Sequence, residues 1–205
     1  MDLMELLKGQ LNDQLVGQLS QHIGAEPQQT ASAAEGVFAT ILGGLANNAT
    51  SEGGVNALMA ALDRDHDGSI LDDLMEMVGG MANGTANSNA TNGLGILGHV
   101  LGDRQETAAA QIGQSNGLSA GQAMKLMTIL APIVMNVLGK AKSQGGLDVG
   151  SLVGMLMGSA QNAQQGGFGD LIGSVIGSAL SGNQQQTNGA GGMLGNVLGS
   201  LFGKK

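Results

Sequence analysis

The stretch Ser119–Leu138, SAGQAMKLMTILAPIVMNVL, decides the fold class of this chain. Ser119 and Gln122 have the spacing of a capping box, in which two side chains satisfy free N–H groups at the start of a helix. Apolar residues then recur three and four positions apart, which is typical of one face of an α-helix. They are Ala123, Leu126, Met127, Leu130, Val134, Val137 and Leu138. We therefore expect a long amphipathic helix, kinked or stepped at Pro132.

A similar helix is predicted about 92 residues earlier, beginning at Pro27, a residue that favours the first position of a helix. Its apolar positions Val37, Phe38, Ile41, Leu42 and Leu45 align with Ile129, Leu130, Ile133, Val134 and Val137. In both copies a Gly-Gly pair follows, Gly53-Gly54 and Gly145-Gly146. We interpret this as two related helical units, roughly 20–65 and 112–160. The alternative is a chance match between two Leu-rich amphipathic helices.

The remaining segments are also predicted to be helical, since no alternating strand pattern occurs. Residues 1–23 carry apolar residues four apart with a break near Gly9, Ser51 caps a third helix, and shorter helices follow at 94–102 and 104–113. The fold class is all-α, a multi-helix bundle. We divide the chain into an N-terminal helical unit (1–80), a flexible Asn/Gly/Thr-rich linker or loop (81–93), a second helical unit (94–160) and a Gly-rich C-terminal extension with two short apolar helices (161–205).

Composition excludes several function classes. The 205 residues include no Cys, Trp or Tyr, and 8 Lys+Arg against 16 Asp+Glu give a net charge of −8. An acidic chain without aromatic stacking groups is not expected to bind nucleic acid. The lack of nucleophile and phosphate-loop motifs, with few His, Lys and Arg residues, argues against an enzyme. No basic leader and no apolar run of about 18–20 residues is seen, so we expect a cytoplasmic protein without a transmembrane segment.

Glycines spaced four apart form the most specific pattern, because this spacing places them on one face of a helix. A second helix can then approach closely, as small-residue faces allow in membranes. The predicted contact glycines are Gly150, Gly154, Gly158, Gly169, Gly173, Gly177, Gly195, Gly199 and Gly203. They could pack within one subunit, pair with copies of this chain or another helical protein, or, in the C-terminal helices, contact a membrane surface. We expect self-association to be their functional use.

A second candidate site is the loop Asp63-Arg64-Asp65-His66-Asp67-Gly68. Oxygen ligands at alternate positions before a glycine are typical of the start of an EF-hand calcium loop. The twelfth position is Leu74 rather than a bidentate Glu, which leaves Asp73 as the substitute ligand. The sequence thus offers a calcium-modulated module that uses Asp63, Asp65, Asp67 and Asp73, and the alternative is a simple turn and helix cap. We expect no other cofactor.

Several motifs occur together in the order found in one bacterial family. They are Leu7-Lys8-Gly9-Gln10, residues 41–46 (ILGGLA), residues 66–72 (HDGSILD), residues 95–102 (GILGHVLG), and Ala131-Pro132 leading to residues 145–148 (GGLD). Over about residues 3–158 the chain resembles the bacterial "domain of unknown function 937" family, the YidB-like proteins. The resemblance implies an all-helical protein, and it assigns no catalytic residue.

Overall fold

The computed structural model describes residues 3–64, 93–145 and 149–163. All regular structure in these ranges is helical, which confirms the all-α prediction. The elements are α1 (Leu3–Gln10), α2 (Asp13–Ile23), α3 (Pro27–Asn48), α4 (Glu52–Arg64), α5 (Gly93–Leu101), a 3-10 turn (Gly102–Arg104), α6 (Gln105–Asn116), α7 (Ala120–Gly145) and α8 (Val149–Ala163).

The predicted caps start two of these helices. The backbone N–H of Ser119 donates to Gln122 Oε1 (2.9 Å), and the N–H of Gln122 donates to Ser119 Oγ (3.2 Å). This reciprocal pair is the capping box expected from the sequence. Ser51 Oγ likewise accepts the N–H of Gly54 at 3.1 Å, ahead of α4.

The first break in the chain lies later than predicted. Residues 1–23 were expected to break near Gly9, but α1 continues to Gln10 and the break falls at Leu11 and Asn12. Asn12 Oδ1 accepts the N–H of Leu15 at 2.8 Å, so Asn12 caps α2. The cap, which satisfies a free donor, fixes the boundary more strongly than the glycine does.

Helix α7 continues through Pro132 rather than ending there. Proline has no N–H, so the carbonyl of Thr128, four residues earlier, lacks its usual helical donor. The backbone of Gly93, at the start of α5, lies against that carbonyl so closely that a Cβ at Gly93 would collide with it. Asn136 Nδ2 also donates to the Pro132 carbonyl at 2.8 Å.

Among the described helices, those of the second half of the chain repeat the order of lengths in the first half. Helices α1 to α4 have 8, 11, 22 and 13 residues, and α5 to α8 have 9, 12, 26 and 15. The two long helices, α3 and α7, pack against each other, and each also packs against the other half: α3 against α6 and α8, α7 against α2 and α4. The halves therefore interlock around one shared core.

That core is almost entirely aliphatic. Among the described residues its largest fully buried side chains include Phe38, Leu42 and Leu126, contributed by the two long helices. The segment Ala120–Ser143 of α7 is apolar and long enough to cross a membrane, but 72% of its apolar window is already buried inside the protein. Its apolar character is accounted for by this central position in the bundle.

Candidate functional site

Within the described part of the chain, helix α8 contacts the bundle with one side. It packs on α1, α3 and α4 and buries Leu156, Ser159 and Ala160. Leu3 is the first residue of α1, and its backbone N–H donates to the Oγ of Ser159 at 3.2 Å in a buried environment. Since helix N-termini carry unsatisfied donors, this bond both satisfies one of them and fixes the rotation of α8 about its axis.

The predicted contact glycines of α8 lie on the opposite side. Gly154 and Gly158 are each two residues from the fully buried Leu156, and two residues turn an α-helix by about 200°. Gly150, Gly154 and Gly158 are all exposed. A Cβ added at Gly154 or Gly158 would meet no atom within 4 Å in the described part of the chain.

Met157 borders the same surface. It lies three residues after Gly154 and seven after Gly150, so its side chain leaves α8 near the line of the glycines. Its side chain is 39% exposed, and it is one of two large exposed apolar residues found in the described ranges, with Leu94 on α5. We call the surface formed by Gly150, Gly154, Met157 and Gly158 the α8 face.

The other predicted contact glycines, Gly169, Gly173, Gly177, Gly195, Gly199 and Gly203, lie outside the described residues. The glycines on which other elements pack closely are different ones. A Cβ at Gly44 would lie 2.7 Å from Val100 Cγ1, and one at Gly113 would lie 2.7 Å from the Leu118 carbonyl. Gly44 belongs to no series with a spacing of four, and the series that contains Gly113, with Gly117 and Gly121, was not among the predicted contact glycines.

Two glutamine side chains connect the two halves at the turns that end α2 and α6. Gly24 ends α2 and Gly117 ends α6, both at φ 70°, 93 residues apart. Gln122 Nε2, in the first turn of α7, donates to the Gly24 carbonyl at 2.7 Å. Gln29, in the first turn of α3, lies against Gly117, since a Cβ there would be 2.8 Å from Gln29 Nε2.

These turns border an open depression of about 590 Å³, with Glu26 the single ionisable group among its lining residues. Two helices end beside it and two begin beside it, so the opposite ends of the helix dipoles are close together and offset one another. The depression therefore carries no concentrated charge that would select an ionic ligand.

The predicted calcium loop falls largely outside the described residues. Asp65, Asp67 and Asp73 are not described, and Asp63 lies in the last turn of α4 without a described side chain. In the described ranges there is no group of three acidic, His or Cys residues able to hold a metal ion. The hypothesis of a cation site thus stays a prediction.

One comparison with known proteins gives a result. A family model for a bacterial protein of unknown function (DUF937) matches residues 5–141. No curated protein and no solved structure is significantly similar to the chain. The match spans α1 to most of α7. Helix α8 follows it, so the family model includes no residue of the α8 face.

Proposed function

The chain belongs to the bacterial DUF937 family, of unknown function, and we propose that it is a non-enzymatic cytoplasmic protein that self-associates through the α8 face. The observation that carries the proposal is the orientation of α8. Its buried apolar side chains, Leu156 and Ala160, face the core, and its three glycines lie on the side that no described element covers. A second copy of the same helix is the partner we propose.

The glycines provide the close approach that such a contact requires. Three glycines at a spacing of four span eight residues, about 12 Å along the axis at 1.5 Å per residue. A helix crossing this strip meets backbone rather than side chains, so the two helices approach closely and gain dispersion contacts over the strip. Met157 stands at the edge of the strip and supplies a flexible apolar side chain that adapts to a partner.

The charge distribution on α8 is compatible with a copy as partner. The chain carries a net charge of −8, so two copies repel each other at long range. Helix α8 contains no Asp, Glu, Lys or Arg between Val149 and Ala163. Two α8 faces can therefore meet without burying like charges, whose desolvation would be unfavourable.

The same patch on both subunits is the geometry of a two-fold dimer, in which the interface is self-complementary. The α8 face satisfies this requirement because a glycine strip fits another glycine strip. Should the glycine series of the C-terminal extension serve as further contact faces, association would continue beyond the dimer.

The proposal is tested by the variant Gly154→Leu, with Gly53→Leu as the matched control. Both glycines are exposed helical residues at which a Cβ would meet no atom within 4 Å in the described structure. Neither substitution is expected to unfold the chain, and only the first places a large side chain in the middle of the α8 face. Solution mass is measured by size exclusion with light scattering, with refractive-index detection because the chain lacks Trp and Tyr.

We expect the wild-type chain and Gly53→Leu to associate, and Gly154→Leu to elute as a monomer of about 20.4 kDa. Circular dichroism should show the same helix content in all three. A wild-type monomer at every concentration, or association that survives Gly154→Leu, would overturn the proposal.

A further inference from the structure

The sulfur chemistry of this chain is confined to thioethers. It contains twelve Met and no Cys, and the oxidisable aromatic residues Trp and Tyr are also absent. An oxidant that reaches the protein therefore has methionine as its main target. Which methionine reacts first depends on how accessible each sulfur is to solvent.

Among the described methionines, accessibility singles out one residue. Met127 and Met135 on α7 are 0% and 4% exposed, and Met4 is also buried. Met59, Met124 and Met155 are partly buried against the core. Met157 is 39% exposed.

The surroundings of Met157 add to this accessibility. The glycines before and after it on α8, Gly154 and Gly158, carry no side chain, and even an added Cβ at either would find no described atom within 4 Å. No described neighbour on that side therefore shields the thioether from a small oxidant. Met155, two residues earlier, points to another side of the helix and is half-buried.

We propose that Met157 is an oxidation site that controls association: a hydroperoxide oxidises its thioether to the sulfoxide, and the sulfoxide weakens contact through the α8 face. The control of association rests on the function proposed above. In the reaction the sulfur lone pair attacks one peroxide oxygen, the O–O bond breaks and an S=O bond forms. Sulfur loses two electrons, and the hydroperoxide is reduced to an alcohol, or to water in the case of hydrogen peroxide.

The expected consequence follows from polarity. A thioether at the edge of the glycine strip is apolar and adaptable, whereas a sulfoxide is polar and chiral. Burying the sulfoxide in a helix–helix contact removes its oxygen from water without supplying a donor, which is unfavourable. Since the sulfoxide is reducible by enzymes, the change is reversible in a cell.

The test exposes the full chain to hydrogen peroxide and follows two readouts. Fragment-ion mass spectrometry measures the oxidation rate at Met157 against Met127 and Met135 at a protein concentration below association, where the α8 face is uncovered. Light scattering measures association before and after treatment. We expect Met157 to oxidise about tenfold faster than the two buried residues. We also expect the concentration for half-association of the oxidised chain to rise about fivefold or more.

Two variants isolate the role of Met157. Met157→Leu keeps an apolar side chain that peroxide does not attack, so its association should survive treatment. Met155→Leu removes a neighbouring thioether and leaves Met157, so its association should weaken after treatment as in the wild type.

Equal oxidation rates at Met157 and Met127 would overturn the assignment of the site. Rapid oxidation of Met157 with unchanged association would overturn the regulatory role while leaving the proposed function intact, provided that Gly154→Leu still dissociates the protein. A wild-type chain that is monomeric before treatment would overturn the proposed function and the regulatory role together, and the mass spectra would still decide the site.

Discussion

Glycine has two opposite roles in this chain, and the difference lies in what faces each residue. Gly44 is buried in α3, where α5 crosses, and a Cβ there would lie 2.7 Å from Val100 Cγ1 and 2.9 Å from Leu101 Cδ2. At Gly154 in α8, an added Cβ would meet no atom of the described residues within 4 Å. At Gly44 the absence of a side chain is needed for packing. At Gly154 it lowers helix stability without any benefit to the described fold.

The same substitution should therefore have opposite effects at these two sites. Gly44→Ala is expected to destabilise the protein by about 1–3 kcal/mol, because the new methyl group overpacks the contact of α3 with α5. Gly154→Ala should stabilise it by about 0.5–1 kcal/mol through the higher helix propensity of alanine. Urea unfolding followed by circular dichroism measures both values.

The comparison is to be made at low protein concentration, so that association does not contribute to the free energy of unfolding. A change of the same sign at Gly44 and Gly154 would contradict the packing described here.

At the level of elements, the turns after α2 and α6 determine how the two halves meet. Each ends in a glycine at φ 70°, and in each the N–H of the following residue reaches back to the last turn of the helix: Ala25 to the Ser20 carbonyl (3.0 Å) and Leu118 to the Gly113 carbonyl (2.8 Å). Gln122 and Gln29 then reach across to the opposite turn. Equivalent residues thus make reciprocal contacts between the halves.

Replacement of either turn glycine should destabilise the fold. Gly24→Ala is expected to cost about 1 kcal/mol, because a residue with a Cβ is strained in the left-handed region. Gly117→Ala should cost at least as much, since its Cβ would also displace the Gln29 side chain. Gly17→Ala is the control, because Gly17 lies inside α2 without a positive φ and with open space beside it.

Thermal unfolding of the three variants measures the effect. The control should unfold at or above the wild-type temperature, and both turn variants below it. Turn variants that match the wild type would show that the left-handed turns contribute nothing to stability.

Element types were predictable from the sequence because they depend on local information. The capping box at Ser119 and Gln122, the cap at Ser51 and the apolar period of α3 and α7 all have their cause within a few residues. A break was predicted near Gly9, and the structure has it at Leu11 and Asn12; the Asn cap that fixes its position was a signal present in the sequence.

Tertiary contacts were less accessible to sequence reasoning. Close packing at Gly44, Gly93 and Gly113 is determined by which element crosses at each point. A spacing of four does not encode that choice, since Gly113 has it with Gly117 and Gly44 does not. For the candidate site, spacing placed Gly150, Gly154 and Gly158 on one face, but which way this face points depends on how Leu156 and Ser159 dock against the bundle. Met157 was not predicted, although its spacing from Gly154 was a usable signal.

For the whole molecule, the interlocked halves and the outward-facing helix make a consistent picture. The core is shared by both halves and is closed without aromatic side chains other than Phe38 in the described part of the chain. The membrane-length apolar segment of α7 is covered by its neighbours. The α8 face combines exposed glycines, an exposed apolar side chain and no charge, and it lies beyond the family match at 5–141.

The most direct test of the proposed association is a site-specific cross-link. The chain has no cysteine, so a single introduced thiol reports on one position without interference. Met157→Cys places the thiol on the α8 face, and Gln14→Cys places it on the exposed side of α2 as a control. Each variant is treated with a short bismaleimide cross-linker at a concentration at which light scattering shows wild-type association. We predict a covalent dimer for Met157→Cys and a monomer for Gln14→Cys; equal cross-linking of both, or none at Met157→Cys, would contradict association through the α8 face.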